Sequence, residues 1–139
     1  YLGTTSDVLP IIREADCMVL PSYREGISRV LMEAASMEKP IIATNVTGCR
    51  EVINDGETGF LCKVKSPVDL AHKMAKIINM TEKEKVIMGQ KGRVKVIEEM
   101  DLEKIIDIYD YKIAAVLGEE EGITVDLQEL ISLRKTKKI

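Results

Sequence analysis

With 139 residues and 45% apolar side chains, the chain is long enough for one domain with a single core. Its 20 basic and 23 acidic residues leave a net charge of −3, which excludes a general attraction to nucleic acid or to anionic membrane, and no apolar stretch is long enough to span a bilayer. Its three widely spaced cysteines form neither a zinc-binding nor a disulfide pattern, so we expect reduced thiols and a cytoplasmic protein.

The first half of the chain alternates short apolar runs with helical patterns. Four runs predict short strands, at Tyr1–Gly3, Cys17–Leu20, Ile41–Thr44 and Phe60–Val64. The second of these is wholly apolar, which predicts a strand covered on both faces. Between the strands, one helix is predicted over 7–14 with Ser6 as its cap, and another over 29–37 with Ser28 as its cap.

From residue 66 onward the pattern is helical. Three helices are predicted, each preceded by a capping residue: one over 67–79 after Ser66, one from Thr81 to about Met100, and one from Asp101 to about Leu117. Gly118 is expected to end the last helix. Residues 1–117 are therefore assigned to one partial domain, and 118–139 to a C-terminal tail that is a short helix or disordered.

The alternation of strands and helices predicts an α/β fold, with a Rossmann-like parallel sheet and helices on both faces. Only about four strands are evident, at the low end for a sheet of this kind. The pattern resembles the second half of such a domain.

The segment that joins the second predicted strand to the second predicted helix contains the candidate site. A helix that follows a strand presents unpaired N–H groups and the positive end of its dipole, so this junction is expected to bind an anion. Gly26 has no side chain in the way of a phosphate, and the N–H groups of Gly26, Ile27 and Ser28 are candidate donors. Glu25 and Glu33 are candidate acceptors for sugar hydroxyl groups.

Structural roles explain the same two carboxylates without a ligand. Arg29 and Glu33 are spaced as an (i, i+4) ion pair, which contributes about 0.3–0.5 kcal/mol when exposed. Glu25 interacts favourably with a helix N-terminus in any case. The residues alone leave both interpretations open.

The segment also resembles a known family. The sequence PSYREGISRVLMEAAS resembles the E-x7-E region of retaining glycosyltransferases of family 4, which have the GT-B fold. ADCMVLPS before it, and KPIIATNVTGCREVINDGETGFL and MGQKGR after it, resemble the same family in the same order. The resemblance extends over about residues 1–117.

The resemblance implies two Rossmann-like domains that face each other across a cleft, with this chain as part of the C-terminal, donor-binding one. Glu25 matches the glutamate that contacts the transferred sugar, and it is the predicted catalytic residue. Glu33 matches the glutamate that holds the ribose hydroxyls. The loop Gly26, Ile27 and Ser28 matches the one that supports the diphosphate or the sugar.

The implied function is the donor-binding part of a retaining glycosyltransferase, which transfers a hexose from a nucleotide-diphospho-sugar to a glycan or lipid-linked acceptor. No cofactor and no metal are expected. The basic residues that stabilise the leaving diphosphate in this family, and the N-terminal acceptor domain, lie in parts that this chain lacks. We therefore expect the chain alone to be inactive.

Two other functions stay open: a non-catalytic nucleotide-binding or regulatory α/β module, and another GT-B activity such as a nucleotide-sugar epimerase. A sheet cut short exposes an edge, so self-association of the chain is expected. The basic C-terminal tail has two interpretations, a solvated end and a peripheral contact with anionic lipid at the inner face of the membrane.

Two further features have mainly structural interpretations. Thr47–Glu51 lies near the cleft in the family, but we prefer the interpretation that Gly48 serves a tight turn and that Glu51 caps a short helix after it. His72 is predicted at a partly exposed helix position rather than as a base or metal ligand.

Overall fold

The computed structural model describes residues 3–121, without the side chains of 102, 104, 105 and 117–121. Within this range it contains three strands and six helices. The strands are β1 (Met18–Leu20), β2 (Ile41–Thr44) and β3 (Gly59–Cys62). The helices are α1 (Leu9–Glu14), α2 (Arg29–Ser36), α3 (Thr47–Arg50), α4 (Pro67–Asn79), α5 (Glu82–Glu99) and α6 (Leu102–Glu121).

The three strands form one parallel sheet in the order β1-β2-β3. Val19 is paired with Ile42, and Ile42 with Phe60, so the carboxyl ends of all three strands lie at the same edge. This confirms the predicted α/β fold with a parallel sheet. Of the additional strand predicted at the start, Tyr1 and Leu2 lie outside the described residues, and Gly3 is not in a strand.

The burial of the strands follows their order in the sheet. All four residues of β2 are buried, as the centre of a parallel sheet requires. All three residues of β1 are only half-buried, so the prediction that this strand is covered on both faces is wrong for the described residues. The physical reason is that, in the part of the chain that the structure describes, β1 is paired on one side only, with β2, so its other edge is open.

The core on one side of the sheet is built from β2, α4 and α5. Ile42, Ile77 and Met88 form a buried cluster. Five partly buried apolar residues pack against this cluster: Cys17, Val19, Phe60, Leu70 and Met80. Full burial of one large apolar side chain contributes about 1.5–3 kcal/mol, so this cluster anchors both helices to the sheet.

Most predicted helix boundaries are confirmed by their caps. The Ser66 hydroxyl oxygen accepts from the N–H of Asp69 at 3.3 Å, and α4 ends at Asn79. Thr81 and Glu84 form the predicted capping box: the Thr81 N–H donates to the Glu84 carboxylate at 2.7 Å, and the Glu84 N–H donates to the Thr81 hydroxyl at 3.3 Å. An oxygen of Asp101 accepts from the N–H of residue 103 at the start of α6.

Two predicted boundaries are wrong. Helix α1 begins at Leu9 rather than residue 7, with Val8 in place of Ser6 at its N-cap position. The carboxylate of Asp7 accepts from the Leu9 N–H at 3.0 Å, and it replaces the serine hydroxyl as the local acceptor. Helix α6 continues past Gly118 to Glu121, since a glycine that keeps helical dihedrals does not end a helix.

The chain divides into two units, between Glu99 and Met100. The sheet and helices α1 to α5 belong to the first unit, and α6 belongs to the second. The predicted boundary between 117 and 118 stays a prediction, and the basic tail lies outside the described residues. No helix among the described residues is long and apolar enough to cross a membrane.

Candidate functional site

The candidate site lies where β1 ends and the chain turns into α2. Residues 21–28 form the connecting loop, and Ser28 is the N-cap residue of α2, with an extended backbone. No acidic residue occupies the first turn of α2. The first N–H groups of a helix have no partner inside it, so this end keeps both its donors and its positive dipole.

Ser28 is 5% exposed, and its side chain makes no capping hydrogen bond. The structure therefore does not use this hydroxyl as a cap, although the residue stands at the predicted position. Ile27 is 56% exposed. Its side chain is apolar, so the backbone N–H is the group that this residue offers to a polar ligand.

The carboxylate of Glu25 is held in place by two hydrogen bonds in series. The Ser22 hydroxyl donates to Oε1 of Glu25 at 2.6 Å. The Thr44 hydroxyl, at the end of β2, donates to the backbone carbonyl of Ser22. A buried threonine on the central strand thus fixes the loop that presents Glu25. Neither Ser22 nor Thr44 was predicted from the sequence to contribute to the site, because both act through contacts that form only in the folded chain.

Two glycines define the shape of the loop. A Cβ atom built on Gly48 would lie 1.7 Å from the carbonyl oxygen of Gly26 and 2.7 Å from that of Glu25. A Cβ atom built on Gly26 would have no protein atom within 4 Å outside Gly26 and its two chain neighbours. Gly48 is therefore required by the close approach of two backbones, whereas the space above Gly26 is open.

The preferred interpretation of Thr47–Glu51 is corrected by this geometry. Gly48 lies inside α3, packed on the loop, and does not form a tight turn with positive φ. Glu51 is the C-cap residue of α3 and does not begin a helix after it. The segment lies against the candidate site, as its position in the resembling family implied.

Glu33 lies about one and a half turns inside α2. Its Oε1 is 3.9 Å from a guanidinium nitrogen of Arg29, a distance too long for a hydrogen bond. The side chain of Arg29 is 88% exposed and that of Glu33 is 32% exposed. The predicted (i, i+4) pair is thus present but weak, since water screens it, and it leaves the acceptor capacity of Glu33 free for a ligand.

Two open cavities flank the loop. One has a volume of about 470 Å³ and is lined by Tyr23, Arg24, Glu25, Asn45, Val46, Thr47 and Arg50. The other has a volume of about 380 Å³ and lies between the ends of the strands, where Pro21, Tyr23, Lys63 and Lys65 are among its lining residues. Tyr23 contributes to both, and its ring lies 5.7 Å from Nζ of Lys65.

The cysteines near the site are unsuited to nucleophilic chemistry. Burial, and then the negative charge of Glu25, raise the pKa of the Cys49 thiol. Burial and the charge of Asp69 raise the pKa of Cys62, and burial raises the pKa of Cys17 to about 11. The thiolate is the reactive form, so all three thiols are protonated and unreactive near neutral pH.

Within the described part of the chain, the site contains neither a metal-binding cluster nor a histidine. The side chains that the structure describes include no group of three or more His, Cys, Asp or Glu arranged to hold a metal ion. His72 lies on α4 at an exposed position, beside Phe60 and Lys76 rather than the loop.

Comparison with known proteins places the chain in a family. Residues 1–95 match the family described as Glycosyl transferases group 1. This match covers more than half of the sequence, and the chain belongs to that family. Its sheet and helices agree with those of solved glycosyltransferase structures, which supports the GT-B fold that the resemblance implied.

Three known proteins illustrate the similarity. N-acetyl-alpha-D-glucosaminyl L-malate synthase of Bacillus anthracis is 32% identical over 122 residues, 88% of this chain and 32% of the relative. The capsular polysaccharide biosynthesis glycosyltransferase CapM of Staphylococcus aureus is 32% identical over 117 residues, 84% of this chain and 30% of the relative. Anabaena Alr3699/HepE in complex with UDP has a TM-score of 0.72 at 24% identity, over 85% of this chain and 31% of that one, which shows the fold alone.

The chain therefore spans about a third of the length of these relatives. The family, the fold and the geometry of the loop are properties of the chain itself.

Proposed function

We propose that this chain is the nucleotide-sugar-binding part of a retaining glycosyltransferase of family 4, which transfers a hexose to a glycan or lipid-linked acceptor. The observation that carries the proposal is the loop between β1 and α2. It presents a fixed carboxylate, Glu25, and an open backbone face at Gly26, before a helix whose first turn contains no acidic residue.

The diphosphate of the donor is assigned to the start of α2. The N–H groups of Gly26, Ile27 and Ser28 and the helix dipole supply donors and positive potential there. The space above Gly26 is open, so a phosphate oxygen reaches the backbone without meeting a side chain. The developing charge of the leaving diphosphate is stabilised by such preorganised donors, and no metal or cofactor is required in this proposal.

The two carboxylates are assigned to different sugars of the donor, the ribose and the transferred hexose. A ribose diol offers two hydroxyl donors, and Glu33 has an acceptor for each. Among the described residues its ion-pair partner is Arg29, at 3.9 Å and not hydrogen-bonded. Glu25 contacts the transferred hexose, in an orientation fixed by Ser22. Family membership and the names of the relatives, which include a sugar transferase of capsular polysaccharide biosynthesis, support this assignment.

The remaining parts of the enzyme are proposed on the same basis. An N-terminal Rossmann-like domain supplies the acceptor site and the basic residues opposite the diphosphate, so this chain alone is inactive. A cytoplasmic location at the inner face of the membrane and self-association of the isolated chain also stay predictions.

Calorimetric titration with nucleotide-sugars tests the role of Glu33. UDP-glucose is the first probe because Anabaena HepE, which has the same fold, is solved with it, and GDP- and ADP-glucose complete the series. Glu33→Gln is expected to weaken binding of the best donor about tenfold or more, since a charged hydrogen bond contributes about 1.5–3 kcal/mol. The same donor with a 2′-deoxyribose should lose affinity in the wild type and lose much less in the variant.

The matched control is Glu57→Gln, which makes the same change in the turn before β3, at the opposite end of the sheet. It should bind the donor as the wild type does. Equal affinity of wild type and Glu33→Gln for every donor would show that Glu33 does not bind the ribose.

A further inference from the structure

The cavity beside Glu25 is lined by two arginines that come from different elements. Arg24 belongs to the loop after β1, and Arg50 is the last residue of α3. The cavity volume of about 470 Å³ falls in the range of about 300–1,000 Å³ that is usual for small-molecule sites. It shares Glu25 with the donor site and therefore lies on the sugar side of that site.

The guanidinium group of Arg50 is positioned by neutral acceptors. Nη1 donates to Oδ1 of Asn45 at 3.2 Å, and Nη2 donates to the hydroxyl of Thr47 at 3.4 Å. These contacts restrict the side chain without cancelling its charge. Other N–H groups of the guanidinium remain for a ligand, because the group has five donors in all.

The charges around the cavity favour an anion. Neither Arg24 nor Arg50 forms an ion pair with a carboxylate in the part of the chain that the structure describes. The one acidic side chain that lines the cavity, Glu25, accepts a hydrogen bond from Ser22 instead. Glu51 follows Arg50 in the sequence but does not line the cavity. Two positive charges therefore face the cavity against one negative charge.

An oxyanion would use such an arrangement more fully than a neutral sugar does. Sugar hydroxyls are bound well by amides and carboxylates, whereas a planar guanidinium matches the paired oxygens of a carboxylate or phosphate. An arginine that is held by neutral acceptors and has no ion-pair partner among the described residues favours an oxyanion at this place.

We propose that this cavity is a subsite for a phosphate or carboxylate group, which Arg50 binds with the help of Arg24. The anionic group is carried either by the transferred sugar or by the end of the acceptor that reaches across the cleft to it, and both sources present the same chemistry to the cavity. The assignment rests on the proposed function, because Glu25 and the donor site define which side of the cavity holds the sugar.

Two pairs of probes test the subsite in the full-length protein, and each pair differs only in the anion. UDP-glucose is compared with UDP-glucuronic acid for the transferred sugar. Glucose is compared with glucose 6-phosphate, with and without UDP, for the acceptor. The variant is Arg50→Gln, and the matched control is Arg13→Gln, which removes the same charge at an exposed position on α1 outside the cavity. Arg50→Lys keeps the positive charge but loses the planar guanidinium with its paired N–H donors.

The wild type and Arg13→Gln should bind the charged member of at least one pair about tenfold more tightly than the neutral one. One hydrogen bond between charged groups is enough for a difference of this size. Arg50→Gln should lose that preference, and Arg50→Lys should keep part of it. A preference within the UDP-sugar pair assigns the anion to the transferred sugar, and one within the free-sugar pair assigns it to the acceptor.

Two results would overturn the subsite: the absence of a preference in both pairs, and a preference that survives in Arg50→Gln. A failure of the proposed function has a different signature. In that case no nucleotide-sugar binds the wild type. The affinities for glucose and glucose 6-phosphate, measured without UDP, still show whether the two arginines bind an anion.

Discussion

Replacing Gly48 by alanine is expected to weaken nucleotide-sugar binding about tenfold or more and to lower the free energy of unfolding by about 1–3 kcal/mol. The added Cβ would lie 1.7 Å from the carbonyl oxygen of Gly26 and 2.4 Å from its carbonyl carbon. Both atoms belong to the backbone, so no side chain is able to rotate away. Either α3 or the loop must move, and the loop contains the N–H groups assigned to the diphosphate.

Two further alanine variants separate a loop effect from a general loss of stability. Gly92→Ala is the matched control, because Gly92 also lies in a helix but its added Cβ would meet its nearest neighbour, the carbonyl oxygen of Thr58, at 3.7 Å. This variant should be as stable as the wild type or up to about 1 kcal/mol more stable, with unchanged binding. Gly26→Ala should unfold as the wild type does but bind the donor weakly, since its added Cβ occupies the space assigned to phosphate.

Wild-type affinity in Gly26→Ala would contradict the assignment of the phosphate to this backbone. Normal affinity in a destabilised Gly48→Ala would show that α3 moves and the loop stays. Thermal unfolding and calorimetry on the same four proteins give both readouts.

Glu25→Gln is expected to lower kcat/KM about a hundredfold for release of UDP from UDP-glucose with water as the acceptor, which corresponds to about 2.7 kcal/mol of transition-state stabilisation. A carboxylate against the transferred hexose, where we propose that Glu25 lies, stabilises the positive charge that develops as the bond to the diphosphate breaks. The amide keeps the shape and the hydrogen bond from Ser22 but lacks the charge. KM should therefore change much less than kcat.

Ser22→Ala and Glu57→Gln complete this experiment in the full-length protein. Ser22→Ala removes the 2.6 Å hydrogen bond that orients Glu25, and it should reduce kcat by a smaller factor without abolishing turnover. Glu57→Gln should behave as the wild type, because Glu57 precedes β3 at the far end of the sheet. Unchanged kcat in Glu25→Gln would remove the proposed catalytic role from this carboxylate.

Local signals in the sequence predicted much of the fold. β2 agrees residue for residue with the predicted strand Ile41–Thr44, because four apolar or β-branched residues in a row suit a strand buried on both faces. The caps at Ser66 and Thr81 were also predictable, since each pairs a side chain with a backbone N–H only three residues away. The junction between β1 and α2 was located by the same means.

The contacts that shape the candidate site depend on residues far apart in the sequence. The approach of Gly48 to Gly26 and the hydrogen bond from Thr44 to Ser22 each join residues that are 22 positions apart. The register of β1 beside β2 brings them together, and no local pattern encodes it. Arg50 was inside a segment that the sequence marked, but its convergence with Arg24 on one cavity required the same tertiary arrangement.

A crystal structure of the full-length protein with bound UDP-glucose tests the central claim most directly. We expect the diphosphate oxygens within hydrogen-bond distance of the N–H groups of Gly26, Ile27 and Ser28, and the ribose hydroxyls on the carboxylate of Glu33. A nucleotide bound instead in the cavity beside Lys63 and Lys65, with Glu33 in contact only with Arg29, would contradict the account.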